Sequence, residues 1–144
     1  MEWQPHITVA TIVEDQGRFL FVEEYQGEQA VLNQPAGHLD ANESLLQAAI
    51  RETREEAGAE VAVDAPFALI NIPHINQVHL FYRGRLLAPD FSAGEESLEV
   101  VLLPPSEIPW NELAFRSVAL CLEHYLLDRE RDVFGFHEAN LYPI

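Results

Sequence analysis

The chain has 144 residues, of which 48% are hydrophobic, and its 24 acidic and 8 basic side chains give a formal net charge of −16. This length and composition predict a single compact domain over residues 1–144, because the chain is short for two domains. A surface this acidic repels nucleic-acid backbones, so we expect no nucleic-acid polymer as a partner. A small anionic substrate is compatible with it if carboxylates hold a divalent cation between protein and substrate.

Several features predict a cytoplasmic protein with no membrane segment. No apolar run approaches the roughly 20 residues that a membrane span needs. The first five residues, from Met1 to Pro5, lack the basic start and apolar stretch of a signal peptide. The single cysteine, Cys121, excludes an intrachain disulfide, which fits a reducing compartment. Because Cys121 lies in an apolar helical pattern, we expect it to be a core residue and not a nucleophile.

The predicted elements are strands interrupted by two helices. Segments rich in Ile, Val and aromatic residues predict strands, and clusters of Gly, Pro, Asp and Asn predict turns. In chain order we predict strands at 6–13, 18–23 and 30–33, a loop at 35–37, a helix at 43–57, strands at 65–72, 78–87 and 98–103, a helix at 112–129 and an aperiodic tail at 132–144. Because a turn at 14–17 joins the first two strands, they should form a hairpin. This order favours an α+β sandwich, and the absence of a G-x-G-x-x-G motif disfavours a dinucleotide-binding domain.

The first predicted helix has an apolar side and an acidic side. Asp40 or Asn42 is a candidate N-cap, Asp40 and Glu43 have the spacing of a capping box, and Gly58 is the expected end of the helix. At about 100° per residue, one side carries small and apolar residues that should pack on the sheet. This stripe consists of Leu46, Ala49, Ile50, Thr53 and Ala57.

Glu52, Glu55 and Glu56 fall on a different side of this helix, within about 100° of each other. Three neighbouring carboxylates repel one another, and Arg51 and Arg54 are the only basic residues on the helix. Divalent cations among the acids would remove the repulsion, and oxygen ligands in this number suit Mg²⁺ or Mn²⁺. The alternative is an acidic face that is simply solvated, and the spacing of the surrounding residues argues against it.

That spacing extends over residues 37–59, which read GHLDANESLLQAAIRETREEAGA. The segment matches the pattern G-x5-E-x7-R-E-U-x-E-E-x-G-U, in which U is usually a bulky apolar residue. The matching positions are Gly37, Glu43, Arg51, Glu52, Glu55, Glu56 and Gly58. Thr53 and Ala59 depart from the bulky residues, which affects packing and leaves the chemistry in place. Because so many fixed positions over such a length rarely match by chance, the segment resembles the signature of the Nudix family.

The resemblance implies a Nudix fold, an α/β/α sandwich around a mixed β-sheet. It also implies hydrolysis of a nucleoside diphosphate linked to another group, with Mg²⁺ as cofactor and Mn²⁺ as a substitute. The metal ligands that it implies are Glu52, Glu55, Glu56 and the backbone carbonyl of Ala36. Arg51 would orient the glutamates through salt bridges, with Glu43 as its partner or as a second support. Both monomers and homodimers are compatible with the family.

Three further segments resemble the NudJ branch of that family. They are PHITVA at 5–10, VEE at 22–24 and LNQPAGHLD at 32–40. The likeness is clear over about the first 60 residues and weaker beyond. It implies a phosphatase that acts on nucleoside tri- and diphosphates, on thiamine pyrophosphate and on its hydroxymethylpyrimidine diphosphate precursor.

Four residues are candidates for binding such a substrate. Asn33 and Gln34 could hydrogen-bond a base or pyrimidine ring, or satisfy backbone groups at a strand end. His38 could contact phosphate or pack against the start of the helix. Arg116 could reach a phosphate, since basic residues are scarce, or form an ordinary surface ion pair.

A general base is the remaining requirement of the chemistry. Glu55 is a candidate within the motif, and Glu96 is the favoured candidate in the acidic loop before the strand at 98–103. The alternative for Glu96 is an acidic surface loop. Competing functions are a Nudix hydrolase for another substrate such as ADP-ribose, a metabolite-binding module without turnover, an isomerase on the same fold, and an interaction protein. The retained glutamates argue against the binding module, and the apolar setting of Cys121 argues against the isomerase.

Overall fold

The computed structural model describes residues 2–144 of the chain. Its strands are β1 (His6–Asp15), β2 (Arg18–Gln26), β3 (Gln29–Asn33), β4 (Ala36–His38), β5 (Val61–Ile72), β6 (Gln77–Leu86), β7 (Glu99–Leu103) and β8 (His137–Asn140). Its helices are α1 (Leu45–Ala57) and α2 (Arg116–Arg131), with short 3₁₀ turns at Pro73–Ile75, Pro105–Glu107 and Trp110–Glu112. Among the described residues, no helix has the length and apolar character needed to cross a membrane.

The eight strands form one mixed sheet, as the Nudix resemblance predicts. The order is β3-β2-β1-β6-β5-β8, with β4 paired to β1 and β7 paired to β2. β1 runs parallel to β6 and β5 runs parallel to β8, whereas the other pairs are antiparallel. The central strands are buried on both faces because each face is covered by one helix.

The two faces of the sheet bury different side chains. On one face, Val118, Cys121 and Leu122 of α2 pack against a group of aromatic residues from the sheet that includes Phe21 and Phe81. On the other face, small residues of α1 pack against aliphatic side chains of the sheet. The expected α/β/α layering is therefore present, and the prediction that Cys121 is a core residue is confirmed.

The predicted capping of α1 was wrong in detail. Ser44 is the N-cap: its hydroxyl accepts the Gln47 N–H, and the Gln47 side chain accepts the Ser44 N–H. Asp40 and Glu43 do interact, because the Asp40 N–H donates to the Glu43 carboxylate over 3.0 Å, but they do so in a turn that precedes the helix. The predicted end at Gly58 is confirmed, where the left-handed backbone (φ 58°) favours glycine.

The buried stripe of α1 also differs from the prediction. Ala48 is fully buried, whereas Leu46 is 45% exposed. The stripe is made of small residues, so the helix backbone can lie close to the sheet, and the longer Leu46 is left at its margin. Ala49, Thr53 and Ala57 are buried as predicted.

Three other segments were predicted incorrectly. Residues 36 and 37, expected as part of a loop at 35–37, belong to the short strand β4, which pairs with β1. The second helix begins at Arg116, four residues later than predicted, because Leu113 and Ala114 make backbone contacts with Leu32. The tail, which showed no period, contributes β8 along the edge of β5. The strands β4 and β8 and the four residues before α2 are each too short to show a periodicity in the sequence.

A buried histidine between β6 and α2 should make stability depend on pH. His79 is 2% exposed and contacts the Ser117 hydroxyl and the Gln77 amide oxygen, each over 2.7 Å. Burial, with a smaller contribution from His38, lowers the pKa of His79 to about 4. The folded state then binds fewer protons than the unfolded state between pH 4 and the ordinary pKa of 6.5. Stability from this group is therefore complete above pH 6.5 and is lost as the pH falls towards 4.

We expect the free energy of unfolding to fall by up to about 3 kcal/mol across this window because of His79. Urea unfolding at several pH values would measure the slope. The stability difference between wild type and His79→Phe should change with pH by this amount, because the contributions of other titrating groups are common to both proteins and cancel. His74→Gln, at an exposed position, should keep the wild-type slope. Equal slopes in wild type and His79→Phe would contradict the assignment.

Candidate active site

The acidic side of α1 lines a cavity of about 330 Å³. Its lining consists of Glu52, Glu55, Glu56, Glu95, Glu96 and Ser97. Five carboxylates from two separate segments therefore converge on one space. The structure thus places the three motif glutamates and Glu96 around one cavity, and their roles as metal ligands and general base stay predictions.

The loop that carries Glu95 and Glu96 is attached to the end of α1. The Gly94 N–H and the Ser97 hydroxyl both donate to the Glu56 carbonyl, over 3.1 and 2.9 Å, and the Ser92 N–H donates to the Ala57 carbonyl over 2.7 Å. These bonds satisfy carbonyls that have no partner within the helix. Because a Cβ on Gly94 would overlap the Glu55 carbonyl, only glycine allows this close approach.

Arg51 forms hydrogen bonds with three carboxylates in and beside the cavity. It donates to Glu43 over 2.6 and 3.0 Å, to Glu52 over 2.7 Å and to Glu55 over 3.1 Å. It also donates to the His38 carbonyl over 2.9 Å, which ties α1 to β4. The hydrogen bonds that Arg51 donates lower the pKa of Glu43, and its hydrogen bonds to the Glu43 and Glu52 carboxylates raise the pKa of Arg51 despite its partial burial. Arg51 is therefore a fixed positive charge that orients two motif glutamates.

Glu56 is the most strongly perturbed acid in the cavity. Burial raises its pKa to about 8, the Ala36 N–H opposes the shift, and Glu24, Glu52 and Glu96 add to it. The Ala36 N–H donates to Glu56 Oε1 over 2.6 Å, so the segment before β4 is joined to the helix at this carboxylate. Burial likewise raises the pKa of Glu52, opposed by Arg51, and that of Glu24, opposed by the Asn33 amide.

Gly37 lies directly against the Glu52 carboxyl group. A Cβ at this position would overlap all three atoms of that group. The glycine of the motif therefore makes room for a side chain of the same motif. This explains physically why a residue of β4 and a residue of α1 belong to one pattern.

The residues present fit a divalent cation. Among residues 2–144, no three His, Cys, Asp or Glu side chains lie close enough together to hold a metal ion as they stand. Glu56 accepts the Ala36 N–H, and Glu52 accepts a hydrogen bond from Arg51. The donors are nonetheless hard carboxylate oxygens, which Mg²⁺ and Mn²⁺ prefer, and the missing Cβ of Gly37 makes room for one of them, the Glu52 carboxyl group. The Ala36 N–H donates to the Glu56 carboxylate, and the role of the Ala36 carbonyl as a metal ligand stays a prediction.

The four predicted substrate-binding residues do not share one location. Asn33 is buried and donates to Glu24 over 3.1 Å. Gln34 is 1% exposed, and within the described chain neither of its amide atoms has a hydrogen-bond partner. His38 is exposed, with its ring against His6. Arg116 donates to the Tyr142 carbonyl and lines a different cavity of about 280 Å³.

Glu24 was missed as a residue of this neighbourhood. It lies on β2, outside the motif, and its charge is close enough to raise the pKa of Glu56. A signal was present: Leu20, Val22 and Glu24 alternate along one face of a strand, and an acid that continues a buried face is unusual.

The comparisons with known proteins agree with this geometry. The model of the NUDIX domain matches residues 3–121. The chain therefore belongs to the Nudix family.

The chain is similar to particular members of that family. A NUDIX hydrolase structure from Nitrosomonas europaea has 36% identity and a TM-score of 0.91, covering 99% of this chain and 82% of that one. Phosphatase NudJ of Escherichia coli K12 is 54% identical over 56 residues, which are 39% of this chain and 37% of NudJ. The match thus spans well under two thirds of that relative. An ADP-ribose pyrophosphatase from Streptococcus suis shares the fold at 20% identity, with a TM-score of 0.71 and coverage of 96% and 100%.

Proposed function

We propose that this protein is a Mg²⁺-dependent hydrolase that cleaves a diphosphate bond in nucleoside tri- and diphosphates. Thiamine pyrophosphate and its hydroxymethylpyrimidine diphosphate precursor are included as substrates, and Mn²⁺ as a substitute metal. The observation that carries the proposal is the convergence of Glu52, Glu55, Glu56 and Glu96 on one cavity. Membership of the Nudix family and the partial similarity to phosphatase NudJ support it. The proposal also holds that the chain is a single cytoplasmic domain.

In this proposal the motif glutamates hold the metal. Glu52 and Glu56 are partly buried and fixed by Arg51 and by the Ala36 N–H, so their oxygens are oriented before a ligand arrives. A bound Mg²⁺ would neutralise phosphate oxygens and favour ionisation of the attacking water. Since Arg51 keeps its charge at any working pH, it continues to orient the carboxylates while a proton moves elsewhere in the site.

Two residues compete for the role of general base. The Glu55 side chain is 58% exposed and accepts a hydrogen bond from Arg51, which orients it beside the other motif glutamates. Glu96 comes from the loop, is exposed, and has no ion-pair partner among residues 2–144. Because no ion pair within the described chain restrains the Glu96 carboxylate, it can turn towards an attacking water, so we assign proton abstraction to Glu96 and metal binding to Glu55.

The group attached to the phosphates would extend from the cavity towards β2 and β3. The unpartnered Gln34 amide supports this direction, because a buried amide without partners costs about 1–3 kcal/mol per group. Gln26, two residues beyond Glu24 on β2, lines the second cavity together with Arg116. His38 has the least support, since its ring lies against His6.

The test is release of phosphate and pyrophosphate with Mg²⁺, with EDTA as the control. The panel holds nucleoside tri- and diphosphates, thiamine pyrophosphate, hydroxymethylpyrimidine diphosphate and ADP-ribose. We expect metal-dependent release from the nucleotides and from thiamine pyrophosphate. Cleavage of ADP-ribose alone would keep the diphosphate chemistry and reject the proposed substrates. Binding without turnover of every compound would favour a metabolite-binding module.

A further inference from the structure

Glu24 lies on the face of the sheet that α1 covers. On β2, Leu20 and Val22 pack in one cluster with Ala57 of α1, and Glu24 continues the same alternation. The neighbouring Glu23 alternates to the opposite face, on which Phe21 packs. Two adjacent acids of one strand are therefore on opposite sides of the sheet, and only Glu24 is on the side of the motif glutamates.

Asn33 fixes the position of the Glu24 carboxylate. Its backbone pairs with Val22 across β2 and β3, and its amide donates to Glu24 Oε1 over 3.1 Å. Three residues further on, the Ala36 N–H donates to Glu56 Oε1 over 2.6 Å. One short segment of chain, from Asn33 to Ala36, thus positions a carboxylate of β2 and a carboxylate of α1 on the same face of the sheet.

Neither of these two carboxylates has a cationic partner. The ion pairs among residues 2–144 include Glu43, Glu52 and Glu55, all with Arg51, but not Glu24 or Glu56. Both side chains are partly buried, and an unpaired charge in such surroundings is costly. A divalent cation between them would supply the missing positive charge, and carboxylate oxygens are the ligands that it prefers.

We propose that Glu24 is a further carboxylate ligand of the divalent cation and that Asn33 is its positioning residue. The inference rests on the proposed function, because it assumes that a metal binds beside Glu56. It extends the metal site from the helix motif to a strand that the motif does not include.

The experiment is a titration of the full chain with Mn²⁺, followed by the electron paramagnetic resonance signal of free Mn²⁺. Glu24→Gln should weaken Mn²⁺ binding by about 10-fold or more, since a lost ligand should cost at least what a lost supporting contact costs. The matched control is Glu23→Gln, which removes the same charge from the opposite face of the same strand. It should keep Mn²⁺ affinity within about twofold of wild type, because its carboxylate lies on the opposite face of the sheet from the proposed metal position. Thermal unfolding without metal should show that both variants fold.

A double-mutant cycle separates positioning from a general structural role. Asn33→Ala should weaken Mn²⁺ binding in the wild-type background and have little further effect in the Glu24→Gln background. Equal Mn²⁺ affinity in wild type, Glu24→Gln and Glu23→Gln would overturn the inference while leaving the motif glutamates as metal ligands. Additive effects of Asn33→Ala and Glu24→Gln would overturn the positioning role. No Mn²⁺ binding by wild type would reject the proposed metal site itself, and this inference with it.

Discussion

Glu56→Gln should abolish most turnover and leave the fold intact. The substitution removes a proposed metal ligand without changing the size of the side chain, so the loss should reach about 3 kcal/mol in transition-state stabilisation, or roughly 100-fold in kcat/KM. Phosphate release at saturating Mg²⁺ measures it. Glu123→Gln, which makes the same charge change at an exposed position of α2, should retain wild-type activity.

Glu56→Gln should lower turnover but raise the free energy of unfolding of the metal-free protein at alkaline pH. Burial raises the pKa of Glu56 to about 8 from an ordinary value of 4.5, so the folded state binds more protons in this window. The contribution of Glu56 to the free energy of unfolding of the metal-free protein should therefore fall as the pH rises from 4.5 to 8. Glu56→Gln cannot ionise and should lack that fall, which makes it more stable than wild type at pH 8 without metal. Wild-type turnover, or lower stability at pH 8, would contradict the assignment.

Gly37→Ala should reduce activity strongly while leaving the stability of the fold nearly unchanged. The added Cβ would overlap the Glu52 carboxyl group, which is the mobile end of a long side chain. The protein can fold by rotating Glu52 away, but that carboxylate then leaves Arg51 and the proposed metal position. We expect a loss of about 100-fold in kcat/KM, comparable with removing the ligand itself, with a melting temperature close to that of wild type.

Gly135→Ala is the matched control for this change. A Cβ at Gly135 would meet only His137, at 3.9 Å, so the variant should behave as wild type in both assays. Full activity in Gly37→Ala would show that Glu52 does not need its present position. A large loss of stability would show that the backbone of β4, and not the side chain, absorbs the overlap.

The sequence was most informative where one residue pattern reports both structure and chemistry. The motif at 37–59 predicted the helix, its end at Gly58, the shared side of three glutamates, and Arg51 with Glu43 as partner. The geometry of each of these is present: α1 ends at Gly58, and Arg51 bonds Glu43, Glu52 and Glu55. Residues three and four apart on a helix are neighbours in any fold, so this side of the site is determined locally.

The sequence was less informative about segments whose structure depends on distant partners. β4 and β8 are short strands that exist because β1 and β5 offer them backbone hydrogen bonds. The start of α2 is displaced because Leu113 and Ala114 contact Leu32. No local period marks such segments, since their pairing energy comes from residues far away in the chain.

The sequence by itself determined the family, the acidic side of α1 and the arginine that orients it, because these follow from helical spacing within 23 residues. Only the tertiary structure decided which other carboxylates face that side. Glu96 arrives through a loop that bonds the last carbonyls of α1, and Glu24 arrives through the alternation of β2 and the Asn33 amide. Both depend on sheet order and long-range hydrogen bonds, which bring together residues that the chain separates.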